Sequence, residues 1–167
     1  MEPCDIYIVR HAIAAERGDE WPDDSKRPLT DVGVTRFKEV VNGLVWLEVE
    51  IDEIFTSPLV RAKQTAMLLA DGLGNKSSVK TLDALSPGHS PRQVMSELSR
   101  SAKRRRIALV GHEPGLGELA AHLVGAPRAL PFKKGGVCSI AVQGLASRRP
   151  GEMVWFIPPK VLRRLSR

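Results

Sequence analysis

The sequence predicts a three-layer α/β/α sandwich with a mostly parallel sheet, formed by one domain over residues 1–167. Short apolar runs typical of strands alternate with longer segments of helical periodicity, which is the pattern of βαβ units. Hydrophobic residues make up 43% of the chain, so a chain of this length can bury a full core. The first apolar run, residues 6–9, ends directly in Arg10-His11. Because burying an unpaired arginine is unfavourable, this pair predicts a polar site at the mouth of the sheet.

The first half of the chain predicts two strands and two helices. An acidic loop over residues 12–26 follows the first strand, and Thr30 is the predicted N-cap of a long helix. The buried face of that helix comprises Val34, Phe37, Val40, Val41, Leu44 and Val45. Residues 51–56 predict the second strand, after which Ser57 and Pro58 are typical of an N-cap and a first helical residue. The second helix buries Ala62, Ala66, Leu69 and Leu73.

The second half predicts a short third strand over residues 78–82, a loop over 83–91 and a third helix that begins at Pro91. Residues 107–110 form the clearest strand after the first, and residues 111–115 lead into a fourth helix. Residues 137–142 and 153–157 predict two final strands, antiparallel at one edge of the sheet, and a short basic helix follows them. The interval between residues 73 and 107 is too short to contain a lid domain.

Charge and cysteine content limit the classes of function. The net charge of +6 suits an anionic partner, but the basic run at residues 103–106 is not interleaved with aromatic residues. We therefore expect no nucleic-acid binding. No apolar run approaches the roughly 20 residues of a membrane helix, and the first residues lack the pattern of a signal peptide. Cys4 and Cys138 border apolar strands as reduced core thiols do, so we expect a cytoplasmic protein with no membrane partner.

Arginine and histidine residues follow three of the predicted parallel strands. Arg10 and His11 end the first strand, Arg61 lies in the first turn after the second, and His112 follows the fourth. Because parallel strands share one carboxyl edge, we expect these side chains in one pocket bordered by helix N-termini. Guanidinium groups and amide donors match the oxygens of a phosphoryl group, so the residues predict a phosphate site.

A metal site is the alternative at the same edge of the sheet. His11 and His112 are suitable ligands for a divalent cation, and Asp24 or Glu113 could add a carboxylate oxygen. Arginines in the same cavity repel a cation, however, and this favours the phosphate interpretation. We therefore expect neither a metal nor another cofactor.

Four separate motifs point to one protein family. They are IVRH at residues 8–11, RPLTDVG at 27–33, TSPLVRAKQTA at 56–66 and VGHEPG at 110–115. In this order they resemble the histidine phosphatase superfamily, which has the phosphoglycerate mutase-like fold. The chain length and the RPLT stretch are most similar to its small phosphohistidine phosphatase branch. The resemblance runs from Ile6 to about Gly125, and Ala12 departs from the glycine of many members without altering the charged positions.

The resemblance implies a role for each residue that matches a motif. His11 would be the nucleophile that accepts the phosphoryl group, and Arg10, Arg61 and His112 would hold the phosphoryl oxygens. A neutral imidazole is available as a nucleophile near pH 7, because its ordinary pKa is about 6.5. Two guanidinium groups can position and neutralise a phosphoryl group without a metal.

Three further residues are expected at the site. Asp24 falls where this branch carries an acidic residue near the leaving group, and Arg27 would be an accessory phosphate contact. Ser57 would either cap its helix or add a hydroxyl to the pocket. Glu113 is expected to support a helix N-terminus, because an acidic residue there favours the helix dipole. The proton donor to the leaving group stays open among Asp24, Glu113, His89 and Asp83.

These observations together predict a metal-independent phosphatase that acts through a phosphohistidine intermediate. An open pocket without a lid favours a phosphohistidine-bearing protein domain as the substrate. The alternatives are a small phosphate ester or nucleotide as the substrate, or a phosphate-binding module without catalysis. The presence of both histidines and both arginines opposes the binding-module interpretation.

Overall fold

The computed structural model describes residues 2–74 and 79–165, which form one six-stranded sheet with helices on both faces. The strands are β1 (Cys4–Arg10), β2 (Glu53–Thr56), β3 (Val79–Thr81), β4 (Arg106–Gly111), β5 (Val137–Val142) and β6 (Glu152–Ile157). The helices are α1 (Asp31–Trp46), α2 (Val60–Gly72), α3 (Pro91–Ser101), α4 (Gly115–Val124) and α5 (Pro159–Leu165). Short 3-10 helices cover Asp24–Lys26 and Asp83–Leu85.

The sheet has the strand order β3-β2-β4-β1-β5-β6. The first four strands of that order are parallel, because each is separated from the next strand along the chain by a helix that crosses over the sheet. β5 runs antiparallel to β1, and β6 runs antiparallel to β5 at the edge. The predicted mostly parallel sheet with an antiparallel edge is therefore confirmed.

The alternation of side chains along β1 divides the core between two faces. Ile6 and Ile8 pack on one side with α3 and α4, and Val9 packs on the other with α1, α2 and α5. Both faces of the sheet are thus covered by helices, which gives the predicted three layers. Cys4 and Cys138 are buried free thiols in this core, as expected from their position beside apolar strands.

A local sequence pattern accounts for the start of α1. The Thr30 hydroxyl accepts a hydrogen bond from the backbone N–H of Gly33 at 3.0 Å, which confirms the predicted N-cap of α1. One expectation for a buried residue is wrong. Val45 is half exposed, although Gly43 and Leu44 in the same turn are buried, because it lies about 100° around the helix from Leu44, at the margin of the buried face. Val34 and Leu73 are partly buried and pack against the core.

The expected N-cap of α2 is also wrong. The helix begins at Val60, its N-cap residue is Leu59, and no side chain caps it. The Ser57 hydroxyl instead accepts the backbone N–H of Leu59 at 3.2 Å and contacts a histidine of the site, so it holds the turn that precedes the helix.

The described part of the segment between α2 and β4, residues 73–74 and 79–105, contains no lid and holds only β3, one 3-10 helix and α3. Ser78, the first residue of the predicted third strand, lies outside the described residues. None of the helices in the described ranges is both long and apolar enough to cross a membrane.

Candidate active site at the ends of three parallel strands

The register of the central strands places the predicted site residues side by side. Arg10 is the β-sheet partner of Gly111, and the backbone N–H of His11 donates to the Gly111 carbonyl at 3.0 Å. On the other side of β4, the backbone N–H of Ser57 donates to the Val110 carbonyl at 3.0 Å. The residues that follow β1, β2 and β4 therefore meet at one carboxyl edge of the sheet.

His11 is a buried, neutral histidine with one free ring nitrogen. Its Nδ1 lies 2.7 Å from the carbonyl oxygen of Ala12, which can only accept, so Nδ1 carries the hydrogen and Nε2 is bare. The pKa of His11 is lowered to about 4, mainly by burial and also by the charges of Arg61 and Arg10. At neutral pH the Nε2 lone pair is therefore available to attack an electrophile.

His112 faces His11, with ring centroids 5.2 Å apart. Its Nε2 is 2.7 Å from the Ser57 hydroxyl oxygen, whereas its buried Nδ1 has no hydrogen-bond partner among the described residues. The pKa of His112 is lowered to about 3, mainly by burial and also by the neighbouring His11 and Arg61. Both histidines are therefore neutral above about pH 5.

Backbone carbonyls hold one end of the guanidinium group of both Arg10 and Arg61. Nη1 of Arg10 donates to the Phe132 carbonyl at 2.7 Å, and Nη1 of Arg61 donates to the Asp24 carbonyl at 2.9 Å. The Nε atom of each arginine is buried and has no partner within the part of the chain that is described. Burial lowers the pKa of both arginines, but a guanidinium stays charged at neutral pH.

Asp24 lies between several arginines. Its carboxylate accepts hydrogen bonds from Nη2 of Arg61 and Nε of Arg27, both at 3.0 Å, and Nε of Arg17 lies 3.5 Å away. Burial raises the pKa of Asp24, but the hydrogen bond from Arg27 and the charge of Arg61 outweigh it and hold the pKa below its ordinary value. The carboxylate is therefore ionised at neutral pH. Its predicted role as a proton donor stays a prediction, and these contacts favour an anchoring role.

Arg27 is buried and braces the loop between β1 and α1. Its Nη1 donates to the carbonyl oxygen of Ala15 at 2.6 Å, while its Nε holds Asp24. The side chain is therefore engaged with the protein on two sides. Its predicted contact with phosphate remains a prediction.

The other candidates for the proton donor lie at the border of the site or outside it. Oε1 of Glu113 accepts the backbone N–H of Gly117 at 2.8 Å, which supports the first turn of α4, and burial raises its pKa. His89 and Asp83 are exposed. Within the described residues, neither forms a hydrogen bond or an ion pair with the histidines or arginines of the site.

Electrostatics and ligand types at this edge favour an anion over a cation. Two guanidinium groups and two neutral histidines lie together here. Of the two nearby carboxylates among the described residues, Asp24 is already paired with arginines, and Glu113 accepts from the first turn of α4. The described ranges contain no group of three or more histidine, cysteine, aspartate or glutamate residues that could hold a metal ion. The arrangement can therefore bind and transfer an oxyanion such as phosphate.

Comparison with known proteins agrees with this geometry. A family model described as the histidine phosphatase superfamily (branch 1) matches residues 6–86. The chain is 29% identical to phosphohistidine phosphatase SixA of Escherichia coli K12 over 156 residues, which cover 92% of the chain and 93% of that protein. It also superposes on a solved structure of protein histidine phosphatase SixA complexed with tungstate, with a TM-score of 0.82, 27% identity, and coverage of 95% and 99%.

The chain belongs to the histidine phosphatase superfamily, in its SixA-like branch. An uncharacterized protein of Picosynechococcus sp. strain PCC 7002 is 42% identical over 119 residues, 70% of each chain. The resemblance deduced from the four motifs is thus confirmed, and the protein is a phosphatase.

Two features of this histidine phosphatase were not anticipated from the sequence. The Thr65 hydroxyl donates to the Arg61 carbonyl at 2.8 Å and accepts the backbone N–H of Ala12 at 3.0 Å, so it ties α2 to the residue after His11. The Phe132 carbonyl holds Arg10 from a segment without regular secondary structure. Thr65 lies within the third motif, whereas no sequence pattern marks Phe132.

Proposed function

We propose that this phosphatase removes the phosphoryl group from phosphohistidine on a protein, through a phosphohistidine intermediate at His11. One observation carries the proposal. The side-chain nitrogens that are buried without a partner among the described residues are Nε of Arg10, Nε of Arg61 and Nδ1 of His112, and all three belong to residues around His11. Buried polar groups are almost always hydrogen-bonded, so a cluster of unpaired nitrogens indicates a missing acceptor, which a phosphoryl group supplies with three oxygens.

In the first step, the bare Nε2 of His11 attacks phosphorus. A new P–N bond forms to His11 as the P–N bond of the substrate breaks, and the substrate imidazole leaves with the bonding electron pair. A phosphoimidazole that is protonated on its second ring nitrogen leaves as neutral imidazole, so it needs no acid from the enzyme. In the second step, water attacks the phosphoryl group on His11, the P–N bond to His11 breaks, and inorganic phosphate is released with the proton passing to solvent.

Positive charge for both steps comes from Arg10 and Arg61 in this proposal. Phosphoryl transfer depends mainly on positioning and on neutralising the oxygens, and fixed guanidinium groups can do both. Each arginine is fixed before substrate binds, Arg10 by the Phe132 carbonyl and Arg61 by Asp24. We propose that catalysis needs no metal for this reason.

Asp24 acts in this scheme as the anchor of Arg61. Its backbone carbonyl and its carboxylate accept from both terminal nitrogens of Arg61, at 2.9 and 3.0 Å, which leaves Nε of that arginine free for the substrate. An ionised carboxylate engaged by two guanidinium groups has no proton to donate to a leaving group.

A protein substrate is supported by the surroundings of the pocket. The described chain carries no lid over the site, and an open pocket buries little of a small molecule. Lys134 lies close enough to lower the pKa of His11, and together with the exposed Arg36 it lines a small adjacent cavity of about 70 Å³. Exposed cations around the site favour encounter with an acidic protein surface. The relative SixA is itself named a phosphohistidine phosphatase.

Competition kinetics test this choice of substrate. A phosphohistidine-bearing carrier protein is mixed with phosphoserine or p-nitrophenyl phosphate, and the kcat/KM values are compared. We expect the carrier protein to have the higher kcat/KM. A higher value for a small ester would refute the protein substrate, and turnover of neither class would refute phosphatase activity itself.

A charge variant provides a sharper version of the same test. Arg36→Gln should lower kcat/KM for the carrier protein by about two- to fivefold at low salt, because a single exposed charge contributes up to about 1 kcal/mol. Arg148→Gln is the matched control. It lies in the β5–β6 loop, and β5 ends opposite Cys4, at the far end of β1 from His11. Equal effects of the two variants would show that the cations near His11 do not guide docking.

A further inference from the structure

The hydroxyl group of Ser57 lies at a junction of two hydrogen bonds. Its oxygen is 3.2 Å from the backbone nitrogen of Leu59 and 2.7 Å from Nε2 of His112. The backbone N–H can only donate, so the Ser57 oxygen is the acceptor in the first bond. Ser57 is completely buried, and within the described residues Nε2 of His112 is the only acceptor that its hydroxyl hydrogen reaches.

The second hydrogen bond can be formed in two directions. If Nε2 of His112 carried the hydrogen and donated it, the buried hydroxyl hydrogen of Ser57 would have no acceptor. The Nδ1 of His112 would then present a lone pair to an arriving anion. If the hydroxyl donates to a bare Nε2, the Ser57 hydroxyl and Nε2 are both paired and Nδ1 carries the hydrogen. The first direction leaves two buried groups unpaired, the Ser57 hydroxyl hydrogen and the Nδ1 lone pair, whereas the second leaves only the Nδ1–H, which an anion can accept. Unpaired buried polar groups are costly, so the second direction is the stable one.

We propose that Ser57 is a positioning residue that fixes His112 in the tautomer with hydrogen on Nδ1. A series of hydrogen bonds then runs from the Leu59 N–H to the Ser57 hydroxyl and from that hydroxyl to Nε2 of His112. It leaves one unused donor on His112, the buried Nδ1–H, which has no partner among the described residues. This donor serves a phosphoryl oxygen, an acceptor that rests on the proposed function. Because a neutral imidazole N–H is a very weak acid, His112 binds the oxygen and does not protonate the leaving group.

NMR of the ring nitrogens identifies the tautomer of His112 directly. Long-range ¹H–¹⁵N spectra of the full chain labelled with ¹⁵N-histidine distinguish a bare from a protonated ring nitrogen, and the His112→Gln variant identifies the His112 signals. Near pH 7 we expect Nε2 of His112 to be bare and Nδ1 to be protonated. Protonated Nε2 in the wild-type protein would overturn the inference without any need for a variant.

Variants of Ser57 test its causal role. Ser57→Ala should produce a population of His112 protonated at Nε2, whereas Ser57→Thr keeps a hydroxyl and should restore the wild-type tautomer. Ser139→Ala is the matched control, because Ser139 is a buried serine on β5 whose hydroxyl lies outside the site. An unchanged tautomer in Ser57→Ala would show that the hydroxyl does not select it.

Tungstate binding separates this inference from the proposed function, since calorimetry with tungstate requires no turnover. Ser57→Ala should weaken tungstate binding by about 10- to 100-fold, the usual effect of losing a hydrogen bond to a charged group. Ser139→Ala should not change it. Binding within about twofold of wild type in Ser57→Ala would overturn the positioning role. If the tautomer and the loss of tungstate binding were as expected but the protein hydrolysed no phosphohistidine, the proposed substrate would be refuted and the positioning role of Ser57 would stand.

Discussion

Asp24→Asn is the substitution that best distinguishes an anchor from a proton donor. The amide keeps the shape of the carboxylate but only one of its two acceptor oxygens, and it removes the charge that faces Arg61 and Arg27 at 3.0 Å. The two arginines use different oxygens, so the amide NH2 must face one of them and that hydrogen bond is lost. A hydrogen bond to a charged group contributes about 1.5–3 kcal/mol, so the loss is about 2 kcal/mol. Asp24 is 44% exposed, and solvent screening reduces this loss from about 2 to about 1 kcal/mol.

The stability effect has a definite pH dependence. The folded-state pKa of Asp24 is lowered, so its stabilisation is present above the ordinary pKa of about 3.9 and is lost as the pH falls through the lowered value. At pH 7 the free energy of unfolding of the variant should be about 1 kcal/mol smaller than that of the wild type. This corresponds to a fall in Tm of about 2–4 °C. In acid below the lowered pKa, the two proteins should become equally stable. A difference that persists there would show that the charge of Asp24 is not its source.

Kinetics decide between the two roles. Loosening Arg61 should lower kcat/KM by about fivefold, the equivalent of about 1 kcal/mol, on both a phosphohistidine and an alkyl phosphate. A general acid contributes about 10²–10⁴-fold and matters most for an alkoxide, which cannot leave readily without a proton. Asp23→Asn is the matched control, because the Asp23 carboxylate accepts from Ser25 and lies next to Asp24 in the chain. If Asp24→Asn lowered kcat/KM for the alkyl phosphate at least tenfold more than for phosphohistidine, the anchoring role of Asp24 would be refuted.

Three other predictions concern the nucleophile and the charge of the site. His11→Ala should abolish turnover and the acid-labile phosphoryl label trapped by alkaline quenching, while the exposed His122→Ala should change neither; label in the His11 variant would contradict the covalent step. Because the pKa of His11 is lowered to about 4, kcat/KM corrected for substrate ionisation should stay level from pH 7 to about 5 and fall below that as Nε2 is protonated. An inflection near 6.5 would contradict the buried neutral histidine. Turnover should continue in excess chelator. If the chelator abolished turnover and added zinc or magnesium restored it, a metal rather than Arg10 and Arg61 would supply the positive charge.

The order and type of the elements could be predicted from the sequence because the patterns that specify them are local. The Thr30 cap and the apolar spacing of α4 act within a few residues of chain, and the structure has both. Val45 follows the same helical spacing, yet it is half exposed while Leu44 in the same turn is buried, because Val45 lies at the margin of the buried face. Periodicity identifies the face of a helix, but it contains no information on how far around the helix the neighbouring elements reach.

The arrangement of the site was predictable only to the level of which strand ends meet. Parallel strands bring His11, Arg61 and His112 to one edge whatever the details, since the topology requires it. The direction of the Ser57 side chain could not be predicted, because its partner His112 lies 55 residues away and a serine before a proline is locally indistinguishable from a cap. The pairing of Asp24 with Arg61 spans 37 residues and is likewise invisible to local patterns.

The contact between Arg10 and the Phe132 carbonyl connects the proposed active site to an outlying part of the molecule. The Phe132 ring packs against Phe156 on the edge strand β6, with centroids 4.5 Å apart, while its carbonyl holds the guanidinium. We therefore expect a substitution at Phe156 to shift the affinity of the proposed site for an anion, although Phe156 is not one of the site residues. Random mutagenesis selected for altered turnover should recover variants in this outer hairpin, and two homologues with identical motifs can differ in rate through this edge alone.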